Sequence, residues 1–447
     1  MLTYEQAHKL WQTFKRDEQP RLQKLYDYYV GKHAILARQD RENRETHRVV
    51  NNFARYISTV ATGFFMGSPV AYTCDGDAFD AATDILEESD AEAVDYDIAL
   101  NCSIYGRSYE LFYIDENKEL RFKDIDPRTV IVVKDGSMKE RIIAAIVFSD
   151  RKTENDKIEL RMDVYDSKEV ATYTSIVSAD YKDFNYELIE QKQHFVAGVP
   201  VNEYMNNRFG LGDYEDCISL MDAYNKAASN SVDDLSDFTD AFLALINMSG
   251  TESEDINRMR KDKVLLLEGD GDAKWLIKNV DSSYSDGIKT RIQTDIHKFS
   301  FVPDMSDEKF AGNLSGVAIK YKLLALEQLR GQKERQFRKG LWRRLEIVHS
   351  YMKMMNSAVF DFTKVKMQFN ANLPANLVEM ADVIEKLDGK VPLEILLALL
   401  PFVTDVKQAI SMLEKERSER FNDPYESLGK QSGSSDDDLD DNKDDVA

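Results

Sequence analysis

The chain has 447 residues and a formal net charge of −22, from 80 acidic and 58 basic side chains. A surface with this charge repels nucleic acid and anionic membrane, which disfavours a protein that grips DNA but not one through which DNA slides. Hydrophobic residues make up 43% of the chain and aromatic residues 10%, which excludes a disordered protein. The length predicts roughly three structural units.

The cysteines and the apolar segments bear on the compartment. Three cysteines lie far apart and form no CxxC pair, which is typical of reduced thiols in a cytosolic protein. The first residues lack the pattern of a signal peptide. No stretch reaches the ~20 apolar residues that span a bilayer. The sequence therefore predicts neither secretion nor a membrane segment.

Helical periodicity governs the N-terminal part of the chain. Apolar side chains recur at helical spacing from Leu22 to Phe64, which predicts helices over 3–66. The polar run at 38–45 interrupts them and is predicted to be a flexible link. A second helical block is predicted from about Ala78 to Ile104.

Residues 108–197 change character, because β-branched and aromatic residues now come in short runs. Asp135-Gly136 separates two of these runs and is typical of a hairpin turn. Helical periodicity returns at 213–247 and 283–300, on either side of a small α/β unit at 249–282. The sequence therefore predicts an α+β protein that is mainly helical and carries a β-rich module.

A charged loop and a long helix occupy residues 303–345. Pro303 and Gly312 bracket the loop, and Asn313 or Ser315 can cap the helix that follows it. The residues alone leave several interpretations open: a lid, a contact loop, an element that lines a channel, or an ordinary surface connection.

Several segments together resemble the portal proteins of tailed bacteriophages, the head-to-tail connectors of the siphophage type. The loop is followed by N-x-S-G-V-A-x-K at 313–320 and then by F-R-x-G-L at 337–341. Earlier in the chain, G-x-P-V lies at 67–70, G-x-x-Y-E at 106–110 and a D-P step at 126–127. The segments follow the family's order, and the resemblance extends from about residue 25 to about residue 420.

The resemblance implies a portal-type fold with wing, stem, clip and crown regions, which assembles as a ring. The implied regions are a wing at 1–212 with the β-rich module 108–197, a stem helix at 213–248, a clip at 249–282, a second stem helix at 283–301, a tunnel loop at 302–313, a long wing helix and following segment at 314–373, a crown at 374–421 and a disordered acidic tail at 422–447. Composition also predicts that tail, because its aspartates repel one another and bury nothing.

In portals, the tunnel loop projects into the axial channel and lies against the DNA. Carried over to this chain, the implied channel residues are Asp304, Asp307, Glu308, Lys309 and Phe310. Lys309 is the only cation between Pro303 and Gly312, so each subunit would offer one weak and quickly exchanged contact to phosphate. The carboxylates would keep the channel wall repulsive.

The resemblance also implies partners and a location. About a dozen copies would form a ring with head-to-tail contacts around double-stranded DNA, beside major capsid and scaffold proteins. The ring would lie at the capsid vertex of the virion, and in the host cytoplasm during assembly. The terminase large subunit and the head-completion or adaptor proteins would dock on the clip, through Glu252, Glu254, Asp255, Arg258 and Lys261.

A dense basic helix supplies a second contact candidate, with Lys333, Arg335, Arg338 and Lys339. It is either a solvated face paired with glutamates of the same helix, or a face that meets the acidic surface of a neighbouring subunit. The sequence does not decide between them.

Catalytic patterns are missing from the sequence, which contains no P-loop, no i, i+4 histidine pair and no nucleophile elbow. We therefore predict no enzyme, no cofactor and no metal. Asp75-Gly76-Asp77 and Asp270-Gly271-Asp272 are interpreted as solvated turns, with a divalent-ion site as the alternative. Two rival functions stay open: a metal-dependent nucleic-acid-processing enzyme and a non-enzymatic acidic scaffold or adaptor.

Overall fold

The computed structural model describes residues 2–42, 45–74, 77–152, 157–177, 186–239, 242–246, 272–276, 282–306, 316–370, 384–397, 400, 403 and 406–421. The chain divides into two compact units, Met1–Asn372 and Leu373–Ala447. The predicted mixture of helix and strand is confirmed.

The first unit contains both helices and strands. Its helices are α1 (Tyr4–Asp17), α2 (Gln19–Tyr29), α3 (Phe53–Met66), α4 (Asp80–Glu88), α5 (Ala91–Tyr105), α6 (Ile218–Thr239), α7 (Ser282–Ser300), α8 (Gly316–Lys322) and α9 (Leu324–Met354). Its strands are β1 (Ala71–Thr73), β2 (Arg107–Ile114), β3 (Leu120–Ile125), β4 (Val130–Lys134), β5 (Ile142–Lys152), β6 (Ile158–Tyr165), β7 (Glu169–Val177), β8 (Glu187–Gln193), β9 (Val201–Met205), β10 (Phe242–Ile246), β11 (Asp272–Leu276) and β12 (Lys366–Gln368). In the second unit, α10 (Leu393–Leu397) buries Leu396 and packs with α11 (Val406–Phe421).

Strands β4 to β8 form an antiparallel sheet in sequence order, and α1 covers one of its faces. A capping box begins α1: Thr3 Oγ1 accepts from the Gln6 amide at 3.4 Å, and Gln6 Oε1 accepts from the Thr3 amide at 3.1 Å. Trp11 then packs edge-on against Phe148 of β5. The other face near β4 and β5 packs on a smaller sheet of order β3-β2-β9.

The main core lies where α9 crosses α3, α4, α5 and the smaller sheet. Leu341, Leu345 and Val348 form the apolar face expected at helical spacing, and all three are fully buried. The helix α9 runs without a break through Gly331 and Gly340. It therefore reaches from one side of this core to the other as one rigid element.

The polar link predicted at 38–45 is tied to α6 at Arg38 and Arg41, so the prediction of a flexible segment is wrong at these residues. Arg38 and Arg41 reach Asp233 of α6 at 2.9 and 3.5 Å. The Asp233 side chain is only 4% exposed, because this segment covers it. A run of charged residues predicts a solvated segment, because the sequence does not show a partner that lies almost two hundred positions away.

The extended residues after the link continue along α6 as a ladder of hydrogen bonds. Three side chains on one face of α6 accept from alternate backbone amides: Asp233 from His47, Ser229 from Val49 and Asn225 from Asn51, all at 2.8–2.9 Å. Four helical residues rise about 6 Å and two extended residues about 6.6 Å, so the two repeats stay in step. The ladder holds the N-terminal part of the chain against α6.

The helix predicted over 213–247 begins at Ile218 and ends at Thr239. Residues 242–246 instead form strand β10, which pairs antiparallel with β11. The error arose because a short apolar run fits a strand as well as a buried helix. Helices α6 and α7 pack on each other and lead into this strand pair.

No helix within the described ranges is long and apolar enough to cross a membrane.

Candidate functional site

The root of the charged loop is the first candidate region. Helix α7 ends at Ser300, and Phe301 then turns the chain with φ +61°, a left-handed conformation that favours glycine. Val302 is fully buried directly after it. Its carbonyl accepts from His297 Nδ1 at 2.9 Å, so that nitrogen carries the proton. The turn therefore ends α7 and anchors the start of the loop at Val302.

Tyr56 of α3 clasps the next residues. Its hydroxyl donates to the Pro303 carbonyl at 3.1 Å and accepts from the Met305 amide at 2.7 Å. Its ring lies edge-on to His297, with 5.7 Å between the ring centroids. One side chain thus holds both the end of α7 and the start of the loop.

Asp304 belongs to this clasp. Its Oδ1 accepts from the Ser306 amide at 3.0 Å and from Ser306 Oγ at 2.6 Å, and its Oδ2 accepts from Gln293 of α7 at 3.1 Å. Burial opposes the charged form, but the Ser306 hydrogen bonds outweigh it and hold the pKa of Asp304 below its usual range. Asp304 is therefore an ionised residue at the loop root, tied to α7.

The other predicted channel residues, Asp307, Glu308, Lys309 and Phe310, lie outside the described residues. The same holds for the predicted docking residues Glu252, Glu254, Asp255, Arg258 and Lys261. Of the turns considered for metal, Asp75 and Asp270 lie outside as well, and the side chains of Asp77 and Asp272 are not described. Among the residues that the structure describes, no group of three or more His, Cys, Asp and Glu side chains could hold a metal ion.

Two of the motif segments, at 106–110 and 337–341, meet at a second region, inside the main core. Gly340 of α9 lies against the Tyr204 ring so closely that a Cβ there would be 2.3 Å from it. The Gly340 carbonyl accepts from Asn202 Nδ2 at 2.9 Å, and Tyr204 donates its hydroxyl to Glu110 at 2.9 Å. Gly340 and Glu110, from the F-R-x-G-L and G-x-x-Y-E segments, are thus joined through β9.

A buried charge cluster completes this region. Arg344 of α9 is fully buried and donates to Glu110 at 2.8 Å and to Asp95 of α5 at 2.5 Å. Its guanidinium carbon also lies 4.4 Å from the centre of the Phe122 ring. Two carboxylates and one guanidinium therefore tie α9, α5 and β2 together in a place that water does not reach.

Burial raises the pKa of Asp95 to about 6, with Arg344 opposing the rise and Glu110 adding to it. The folded state then binds a proton that the unfolded state has released, so this group lowers stability as pH rises from about 4 to about 6. We expect Asp95→Asn to remove that loss. Between pH 4 and pH 7, the free energy of unfolding of the variant should rise by up to about 3 kcal/mol relative to that of wild type. Urea unfolding at fixed protein concentration measures this difference. A difference that does not change with pH would contradict the assignment.

The basic helix divides into an inner and an outer part. Lys333 is buried, with Nζ 2.5 Å from Asp213 and 2.6 Å from Asn206 Oδ1, so it acts inside the chain. Arg338 binds Glu334 and the Met367 carbonyl. Arg335 and Lys339 are exposed. An intersubunit role for this helix therefore rests on its exposed residues and not on Lys333.

Comparisons with known proteins identify the family of this chain. Residues 8–422 match the family described as "Phage portal protein, SPP1 Gp6-like". The chain belongs to this portal family. Its function is that of a phage portal protein, the head-to-tail connector of a tailed bacteriophage.

Two curated relatives agree with this membership. The portal protein of Bacillus phage SPP1 is 23% identical over 85% of this chain and 78% of its own length. The portal protein of Clostridium phage phiCD119 is 23% identical over 87% of this chain and 91% of its own length. A chain from a solved structure, "Neck of empty GTA particle computed with C6 symmetry", matches with a TM-score of 0.44 and 12% identity, over 82% of this chain and 88% of that one.

Sequence reasoning missed the residues that hold both regions of this portal family member together. Tyr56 lies 247 positions from Pro303, and Glu110 lies 234 positions from Arg344. Glu110 and Gly340 lie in segments that resemble the family's motifs, and Tyr56 lies in a predicted helix. Nothing local in them showed which partners they would meet.

Proposed function

We propose that about a dozen copies of this chain form a ring with a central channel at the unique vertex of a capsid. Double-stranded DNA passes through this channel when the genome is packaged, retained and ejected. The observation that carries this proposal is the family match, which covers residues 8–422 and therefore almost every described element.

The charge of the chain fits a channel that DNA must leave as easily as it enters. With a net charge of −22, the surface offers no deep electrostatic well for a polyanion. In the proposed tunnel loop, Asp304, Asp307 and Glu308 repel phosphate, and Lys309 supplies one exchangeable contact beside Phe310. The clasp around Tyr56 and Asp304 supports a fixed root from which such a loop extends.

The regional assignments are proposed in the same way. Helices α6 and α7 pack together and lead into the β10–β11 pair, an arrangement that supports a stem at 213–248 and 283–301 with a clip at 249–282. The N-terminal region to residue 212 and α9 would form the wing, and residues 374–421 the crown. The terminase large subunit and the head-completion proteins would dock on the clip, while major capsid and scaffold proteins would surround the wing.

A portal has no need of its own catalytic centre, since the packaging motor is a separate terminase. The two rival functions predict different phenotypes. An adaptor that joins finished heads to other components leaves packaging intact, and a metal-dependent enzyme fails when Asp75 or Asp77 is replaced by alanine.

Deletion of the gene from its phage genome, with complementation from a plasmid, tests the proposal. We expect the deletion to abolish heads that contain DNase-protected DNA, and the plasmid copy to restore them. The plasmid copy with Asp75→Ala and Asp77→Ala should restore them equally. DNA-filled heads in the deletion would contradict the proposed function and favour the adaptor.

A further inference from the structure

A short loop between β9 and α6 presents an aromatic and a basic side chain to solvent. Phe209 is 77% exposed and Arg208 is also exposed. Within the part of the chain that the structure describes, Arg208 has no ion-pair partner. We call Arg208 and Phe209 the knob.

The Asn207 side chain holds the backbone of the loop that carries the knob. Asn207 Oδ1 accepts from the Phe209 amide at 3.0 Å and the Leu211 amide at 3.2 Å, and Asn207 Nδ2 donates to the Leu211 carbonyl at 2.7 Å. A Cβ on Gly106 would lie 2.0 Å from the Gly210 carbonyl oxygen, so the loop sits directly on the end of α5. The loop backbone beneath the knob is therefore fixed and loses little conformational freedom when the knob binds.

A groove of about 380 Å³ lies at the other end of α5. Its apolar surface comes from Met66 and Tyr96, and its charge from Asp90, Glu92 and Asp97. Among the described residues, none of these carboxylates pairs with a basic side chain. Burial raises the pKa of Asp97, and the charge of Asp124 adds to the rise, so an added cation would be favourable there.

The knob and the groove are complementary. The knob is basic and aromatic, and the groove is lined by acidic side chains, an aromatic ring and a methionine. They cannot meet in one molecule. Helix α5 has 15 residues and is about 22 Å long, and the groove lies at its first turns while the knob lies at its last. A knob on one face and a groove on another is the geometry of a head-to-tail contact, which generates a ring when the rotation per subunit closes.

We propose that Arg208 and Phe209 of one copy insert into the groove formed by Met66, Asp90, Glu92, Tyr96 and Asp97 of the next copy. This inference rests on the proposed ring and assigns one of its subunit contacts. Aromatic and arginine side chains at the centre of a contact usually carry a large share of its binding energy.

Two variants test the proposed contact, and each variant removes one half of it. The knob variant carries Arg208→Glu and Phe209→Ala, and the groove variant carries Glu92→Lys and Asp97→Lys. All four positions are exposed, so we expect thermal unfolding curves of the monomeric fractions close to wild type. Each variant alone should need at least ~10-fold more protein than wild type for half assembly, as measured by mass photometry.

Mixing the two variants gives the decisive result. The groove variant keeps an intact knob, and the knob variant keeps an intact groove. At a concentration where wild type assembles, these two halves form the only intact contact in the mixture. The mixture should therefore form heterodimers and nothing larger. As a control, Met138→Ala with Lys139→Glu alters an exposed apolar and basic pair on another loop tip and should assemble like wild type.

The outcomes separate this contact from the ring. Variants that assemble like wild type, or a mixture without heterodimers, overturn the contact and leave the portal function standing. A wild-type chain that stays monomeric at every concentration contradicts the ring, and the contact with it.

Discussion

Replacing Gly340 by alanine is expected to lower the free energy of unfolding by about 1–3 kcal/mol, because the new methyl group enters a site that is already full. Its Cβ would lie 2.3 Å from the Tyr204 ring. Tyr204 has no room to retreat, since it is fully buried, donates to Glu110 and packs on Phe337 at 4.8 Å between ring centroids. Urea unfolding at fixed protein concentration, followed by tryptophan fluorescence, measures the change.

Gly331 is the matched control, because it lies in the same helix and a Cβ there would meet nothing within 4 Å. Alanine should stabilise that position by about 0.5–1 kcal/mol through its better helix propensity. The two substitutions are chemically identical and should have opposite signs. An equal effect of both would show that Gly340 serves helix flexibility and not close packing.

Replacing Arg344 by methionine is expected to cost about 3–5 kcal/mol, the larger of the two effects. Methionine fills much of the volume but leaves the carboxylates of Glu110 and Asp95 buried without a cation. The burial of both partners makes water a poor substitute. Thermal and urea unfolding of the purified variant measure the loss.

Arg335 supplies the control for this change, since it is exposed on the same helix and its replacement by methionine should alter stability by no more than about 0.5 kcal/mol. Adding Asp95→Asn and Glu110→Gln to Arg344→Met removes the uncompensated charges and should recover part of the loss. If the added substitutions make the protein still less stable, the cost lies in packing and not in charge.

Local patterns in the sequence were enough to predict most of the described helices and the β-rich module. The apolar spacing around Leu341 and Leu345 identified the buried face of α9, and Asp135-Gly136 lies between β4 and β5, which pair as a hairpin. These features depend on neighbours within a few positions. Where a short run allowed both helix and strand, as at 242–246, the sequence alone favoured the wrong one.

The long-range contacts could not be predicted, for a physical reason. A charged run such as that at 38–41 has the same sequence pattern whether it is solvated or paired, and only the fold brings Asp233 to Arg38 and Arg41. Lys333 was placed on an outer face because its neighbours are charged, yet it is buried with Asp213. For the loop, the sequence placed Asp304 correctly in a charged connection after a helix but gave no sign of Tyr56.

The most direct test of the whole account is electron microscopy of the purified chain in negative stain, with its mass determined in parallel. We predict rings with a stain-filled central channel, wide enough for a duplex about 2 nm thick. The mass should correspond to one closed set of identical subunits. A uniform population of monomers or dimers at all concentrations would contradict a ring-shaped channel built from this chain alone.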